Sequence, residues 1–433
     1  MKTDKNNIFT KNLILLVCGR FVSELGSSIF GFALSLYVLD YTNSAAAFSL
    51  VLSFSMLPNM IISLFAGTFV DRHNKKSIIV FCDIVSGILT LIFVAVFRFV
   101  PKTIIILIIY RIILSVIQAF FGIAITAGVP EMVGEKNTAR VNSLTTTLGS
   151  IINILGPVLG AIAYKTIGLY WLIIVDGVSF IFSGISESWI VVKKNKEKRE
   201  IYVQNNNYLK EVKIGFAYIA KNHLTMFFLG VSLAIDLIIM PVASVVLPYI
   251  NYNVLKVTGL QLSIIQAAWA SGAIIGGFLL SLKKDTFSLI RHIFSIVMVE
   301  AILLISFCFP KLSFSGFESK WVIAIIFSVL LIIFGIVNLM HNIPLFTYFQ
   351  VQVPGEMRGR MYAIFNVNTM LASSVGLWIL GFALEYIDWS ILLCISGAIL
   401  LALSIMLKRY KPFITFTKTF DQKEEAVSEE EIQ

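Results

Sequence analysis

Between about Leu13 and Leu407 the chain runs through twelve apolar stretches, most of about 20 residues or more, separated by short polar segments. At a rise of about 1.5 Å per residue, about 20 residues cross a hydrocarbon core of about 30 Å. Backbone N–H and C=O groups find no water there, so only helices and closed barrels can span it. These stretches are too long for the roughly ten-residue alternating strands of a barrel. With 58% hydrophobic residues and a mean hydropathy of +0.88, the chain has too little polar surface for a soluble globule. The fold class expected is therefore an all-α polytopic membrane protein. Its spans are read at 13–39, 46–70, 77–97, 103–126, 141–164, 169–192, 224–250, 258–282, 287–309, 321–345, 360–384 and 390–407. Pro130, Glu131, Glu135 and Lys136 interrupt the pattern and predict an interfacial loop over 127–140.

Charge sets the orientation, because Lys and Arg accumulate on the cytoplasmic side. With the amino terminus inside, 26 of the 34 Lys and Arg residues fall on the inner side and six on the outer, while Arg20 and Arg111 stay within spans. Both termini are expected in the cytoplasm. The formal charge of +9 is then explained by anionic lipid headgroups, and no nucleic acid is expected as a partner. The abundance of Ile, Lys, Asn and Phe points to an AT-rich bacterial genome and hence a bacterial plasma membrane. Cys18, Cys82, Cys308 and Cys394 lie singly in apolar runs and read as buried small hydrophobes. No two of the four histidines stand at i,i+4, and no G-x-x-x-x-G-K-S/T loop occurs, so neither a metal nor a cofactor is expected.

The segment 193–222 divides the spans six and six. The expected organisation is a bundle over 1–192, a cytoplasmic linker over 193–222, a second bundle over 223–407 and an acidic, disordered tail over 408–433. Within the linker, Leu209, Val212, Phe216 and Ile219 share one face of a short amphipathic helix. The halves resemble each other. A shift of 220 places Arg140 on Arg360 and Gly156 on Gly376, and a shift of 211 places Leu36–Tyr41 on Leu247–Tyr252. Both shifts pair span n with span n+6 in the same orientation, as a parallel repeat about an axis along the membrane normal requires.

Between spans 2 and 3 the chain reads Gly67-Thr68-Phe69-Val70-Asp71-Arg72-His73-Asn74-Lys75-Lys76. This resembles the G-x-x-x-D-R-x-x-R/K-R/K signature of the major facilitator superfamily, whose fold is twelve helices in two pseudo-symmetric six-helix bundles. The resemblance implies a latch across the cytoplasmic ends of the halves, carried here by Gly67, Asp71 and Arg72. Arg111 matches the family's arginine in span 4, although Leu114 and Ser115 replace the usual Gln-Gly after it. Gly149, Gly156, Pro157 and Gly160 in span 5 resemble the antiporter motif of exporters in this superfamily. Val129-Pro130, Ala139–Leu144 and Ile174–Phe180 are similar to the macrolide-efflux and enterobactin-exporter-like branch.

Glu24, Asp236 and Glu300 each lie about 11–13 residues from the inner end of their span, near the midplane. Carboxyl groups there resist ionisation, which suits them to carry protons or to attract a cationic substrate. Arg20, at i−4 from Glu24, offers the alternative of a plain ion pair. Asp176 reads as a packing residue and Glu187 as exposed to headgroups. Glu24, Asp236, Glu300 and Arg111 are the expected coupling groups, and Pro241 bends span 7. The superfamily lines its cavity with spans 1, 4, 7 and 10, which implies Phe30, Gln118, Met240, Asn338 and His341 as lining of a largely apolar cavity. The function expected is secondary active transport with no enzymatic activity: a monomeric, proton-coupled antiporter exporting a hydrophobic or amphipathic small molecule, such as a macrolide-like drug or siderophore, by alternating access. A lipid flippase, or a membrane sensor or enzyme, is the alternative.

Overall fold

Apolar residues cover the outside of each helix while small and polar ones turn inward, the inverse of a soluble bundle. On α3 (Lys75–Phe99), Asp83, Ser86, Gly87 and Thr90 are buried, whereas Phe81, Ile88 and Ile92 are exposed. Lipid rewards an apolar exterior, and close helix contacts reward small residues. In the computed structural model, which describes residues 2–99, 104–192, 208–283, 287–311 and 319–418, the described residues are almost entirely helical. Eleven helices are long and apolar enough to cross a membrane.

In the first half these are α1 (Lys2–Thr42), α2 (Ala45–Arg72), α3, α4 (Ile104–Val133) and α5 (Glu135–Ser188). The 54-residue α5 supplies two crossings, because Gly168 breaks it at φ 77°, where a side chain would be strained. Its contacts with α1 show the reversal. Gly156 and Gly160 face Ser28 and Ile29–Phe32, with numbers rising together, whereas Gly26 faces Ser179 and Gly19 faces Ser183, with numbers running oppositely. The first arm is thus parallel to α1 and the second antiparallel, giving twelve crossings with the start of α1 and the end of the last crossing on one face.

After the short helix α6 (Tyr208–Lys221) comes α7 (His223–Pro241), which continues through two π-helical turns and α8 (Leu247–Tyr249). Then follow α9 (Gly259–Ser281), α10 (Ile293–Ser306), α11 (Lys320–Gln352), α12 (Gly355–Ala383) and α13 (Trp389–Lys408). Side-chain caps allow tight turns: Ser44 accepts from Ala47 N at the start of α2, and Thr258 and Gln261 form a reciprocal box at the start of α9. Helix contacts repeat between the halves. α1 packs on α5, α2 on α4 and α3 on the second arm of α5; correspondingly α7 packs on α12, α9 on α11 and α10 on α13. Gly376 meets α7 at Leu237 and Pro241 just as Gly156 meets α1.

Three expectations need correction. The segment 127–140 is not a loop: α4 runs through Pro130 to Val133, and Gly134 alone, at φ 79°, turns the chain into α5. The tail begins as helix over 411–418, with Phe413 buried against Phe227, Phe228 and Phe294. Aromatic packing outweighs the polar composition there, while 419–433 lies outside the described residues, as does 193–207. Only Cys82 is a buried cysteine; Cys18 and Cys394 are exposed on apolar helix faces, and Cys308 lies 3.6 Å from Cys394, Sγ to Sγ. In the linker helix Ile219 is buried and Phe216 exposed, and the side chains of Leu209 and Val212 lie outside the described residues.

Candidate functional site

The halves join at the membrane face opposite the termini. Tyr252 donates to Asp40 Oδ1 at 2.8 Å, and Asn253 Nδ2 donates to Leu39 O at 3.1 Å and to Asn43 Oδ1 at 2.8 Å. Glu385 accepts from Ser44 Oγ at 2.6 Å and from Ala46 N at 3.2 Å, while Trp378 Nε1 donates to Ser53 Oγ at 2.6 Å. All of these hydrogen bonds between the halves engage residues 39–53. The π-helical turns after Pro241 carry Tyr252 and Asn253 to this contact.

On the terminal side of that seal lies a cavity of about 640 Å³, walled entirely by the first half. From α1 come Arg20, Ser23, Glu24, Ser27 and Ser28; from α2, Ser55 and Asn59; from α4, Arg111, Ser115, Gln118 and Thr126; from the first arm of α5, Gly149 and Asn153. Asp83 of α3 completes the polar set, so that, leaving Gly149 aside, 13 of the 20 wall residues are polar. The expected apolar lining is therefore corrected. Serine and threonine enter membrane helices cheaply by bonding their own carbonyls, as Ser55 does to Val51 O.

Arg111 is held from α2: its Nε donates to Ser55 Oγ at 2.7 Å. Pro58 opens the backbone ladder of α2, and Ser115 fills the opening, donating to Ser55 O at 2.7 Å and accepting from Asn59 N at 3.0 Å. Ser115, at the position where the family pattern has Gly, thus docks α4 onto α2 and fixes the arginine. Glu24 pairs with Arg20 on its own helix, both partly exposed to the cavity. Gln118 lines the wall and approaches Ser86 Oγ at 3.4 Å.

Other expected residues stand elsewhere. Phe30 is 1% exposed and lies edge-on to Tyr110, so it belongs to the core rather than the wall. His341 is 2% exposed, with Nδ1 3.0 Å from Glu300 Oε1, a carboxylate that also accepts from Asn338 Nδ2 at 3.3 Å. Glu300 is 0% exposed and His341 faces it, so this polar group is packed inside the second half and not in the cavity. Met240 and Asn338 are half-buried and absent from the wall. Asp236 is buried on α7, facing Thr369 and the Glu300–His341 pair. Gly156, before Pro157, and Gly160 pack so closely on α1 that a Cβ would overlap Ser28 or Ile29 O, but nothing lies within 4 Å of a Cβ at Gly149 or Gly67. Asp71 and Arg72 are exposed at the end of α2, with no partner among the described residues.

Glu187 contradicts its reading as headgroup-exposed: it is 0% exposed, because the second arm of α5 turns this face toward α3. Asp176 accepts from Ser27 Oγ at 3.0 Å, joining that arm to α1. Asp83, 1% exposed, was missed by the sequence reading. Its signal was present: Asp83, Ser86 and Thr90 recur at i, i+3 and i+7, a polar stripe that an apolar helix must turn inward.

The chain is similar to macrolide efflux protein A of Streptococcus pyogenes, 25% identical over 408 residues that cover 93% of this chain and 96% of that one. The corresponding protein of Enterococcus faecalis is 27% identical over 337 residues, covering 76% and 99%. Among solved structures, the nucleoside transporter NupG superposes with a TM-score of 0.71 at 14% identity, covering 93% of this chain and 100% of that one. The family model for the major facilitator superfamily matches residues 16–377. Twelve crossings, one helix-contact pattern used twice and that match make the same assignment: the chain belongs to the major facilitator superfamily.

Proposed function

We propose that the protein is a secondary active exporter of amphipathic small molecules, driven by proton antiport and working by alternating access. The observation that carries this reading is the charged, polar wall of Arg20, Glu24 and Arg111, lying on one side of a seal between the halves. A carboxylate that protons and cationic cargo can both occupy couples their movements. Similarity to macrolide efflux proteins supports export, and the excess of basic residues on the terminal face supports termini in the cytoplasm of a bacterial plasma membrane. In this reading the cavity faces the cytoplasm, protons are the coupling ion, lipids surround a monomer, and Asp71 with Arg72 latches the halves when the cavity closes. Glu24, Arg111 and Asp236 serve coupling; Glu300 holds the second half together.

The test is accumulation of a macrolide and of a lipophilic cationic dye in cells expressing the protein. Both fall on expression and recover with an uncoupler. Arg111→Gln lowers export at least about tenfold, equivalent to about 1.4 kcal/mol. Accumulation indifferent to both expression and uncoupler overturns the reading.

A further inference from the structure

Behind the Arg20–Glu24 pair lies a second acidic group that the coupling scheme above does not use. Asp83 reaches in from α3 and Glu187 from the second arm of α5, and they are 1% and 0% exposed. None of their four buried carboxyl oxygens makes a well-formed hydrogen bond, and Ser183, one turn before Glu187, turns its hydroxyl toward Asp83. The helices meet closely here, since a Cβ on Gly184 would stand 3.3 Å from the Asp83 Cβ. Asp83 also belongs to the cavity wall, so water can reach one edge of the group.

The surroundings supply one cation. From α1, the charge of Arg20 acts on Glu187 and that of Glu24 on Asp83; Cys82 lies beside Asp83 on α3. From α4, Arg111 acts on Asp176, which Ser27 already binds. Lys76, toward the terminal face, is engaged by Ser188 O at 2.7 Å. In this state Arg20 is committed to Glu24. Two adjacent, almost fully buried carboxylates with no cation committed to them cannot both be ionised in such a place. Protons are the ligands that satisfy them.

Building on the export reading, we propose that Asp83 and Glu187 form the proton-binding site of the first half, and that Arg20 exchanges partners to couple it to a cationic cargo. A carboxyl O–H of the pair breaks and its proton passes to water in the cavity. Arg20 then leaves Glu24 for the new carboxylate, and Glu24, left as a bare anion on the wall, takes a protonated amine or other organic cation. One proton leaves and one positive charge enters, so the net charge of the site is unchanged. The cargo class follows: amphipathic molecules carrying one positive charge. Glu24 is the cargo residue and Asp83–Glu187 the proton residue, which divides between two places what a single shared acid would do alone.

The experiment uses the full chain in detergent, with tetraphenylphosphonium as the probe and a pH indicator in weakly buffered solution. Binding of the cation releases about one proton per site, and affinity rises with pH. Asp83→Asn with Glu187→Gln abolishes the release and flattens the pH dependence, while Glu24→Gln weakens binding at least about tenfold. Proton release that persists unchanged in the double variant overturns the proposal. The parent protein gives a decision that needs no variant and no cargo: dicyclohexylcarbodiimide, which attacks protonated carboxyls in apolar surroundings, labels Asp83 or Glu187, and labelling declines as pH rises. No adduct at either residue at mildly acidic pH overturns the site. Labelling at the pair without any cation binding leaves the proton site standing and defeats the export reading instead.

Discussion

The two halves share one set of helix contacts but treat their acids in opposite ways. In the second half Glu300 is fully buried, with one carboxyl oxygen held by His341 and Asn338 and the other without a hydrogen bond. In the first, Glu24 stands on the cavity wall with Arg20, and Asp83 and Glu187 lie behind it without well-formed hydrogen bonds. A repeat can copy backbone packing without copying polar chemistry, because helix contacts depend on small residues at a few positions, whereas each carboxyl group is governed by its own neighbours. The second half spends Glu300 on internal order, as the first spends Asp176; Glu24, Asp83 and Glu187 carry the partner exchange proposed above.

Truncation of the two kinds of acid is the strongest way to break this comparison. Glu300→Ala leaves His341 and Asn338 facing a void and lowers stability by about 3–5 kcal/mol, read as thermal unfolding in detergent. Glu24→Ala, at a pair whose side chains are 29% and 35% exposed, changes stability by less than about 1 kcal/mol. Equal losses would erase the distinction. A third environment sharpens it: Glu385 at the seal accepts from Ser44 and Ala46 across the halves. Glu385→Ala shifts the balance between conformations by about 1.5–3 kcal/mol without unfolding either half. The readout is thiol labelling from the seal side of Ser49→Cys, which is buried against Gly381 in the present state and becomes reactive. Labelling that stays at the parent level would show that Glu385 does not hold the seal.

The smallest effect belongs to a surface acid. Asp388 accepts from Lys311 at 2.5 Å and caps α13, and these contacts hold its carboxyl down at about 2. A depressed carboxyl contributes stability above its unfolded value of 3.8 and loses it as pH falls through about 2. Asp388→Asn therefore costs less than about 1 kcal/mol at neutral pH and leaves the profile between mildly acidic and mildly alkaline pH unchanged. A larger loss would place a buried role on this exposed pair.

Much of the fold was legible because lipid imposes one rule on every span. The apolar runs predicted the helices, and the two-residue gap at Asn43-Ser44 and the Pro58 and Pro241 bends carry local signals of their own. The separate spans at 141–164 and 169–192 anticipated the reversal inside α5, yet Gly134 was mistaken for part of a longer loop, because Pro130 is tolerated in a membrane helix when neighbours satisfy its freed carbonyl. The site was less legible. Arg111 and Glu24 announced themselves as charges in oil, but the Pro58–Ser115 joint that fixes Arg111 links residues 57 positions apart. The inward face of α3, carrying Asp83, was overlooked beside acids nearer the expected cavity.

The amino-acid sequence by itself determined that the chain crosses a membrane twelve times, that its halves repeat, and that charges stand within the bilayer, since each follows from local hydropathy and spacing. Only the tertiary structure decided which acids have partners. It placed Glu300 inside a packed bundle, Glu24 on a cavity wall and Glu187 against Asp83, because a carboxyl group's role depends on what neighbouring helices bring within hydrogen-bonding reach, and that is set by packing between segments far apart in the chain.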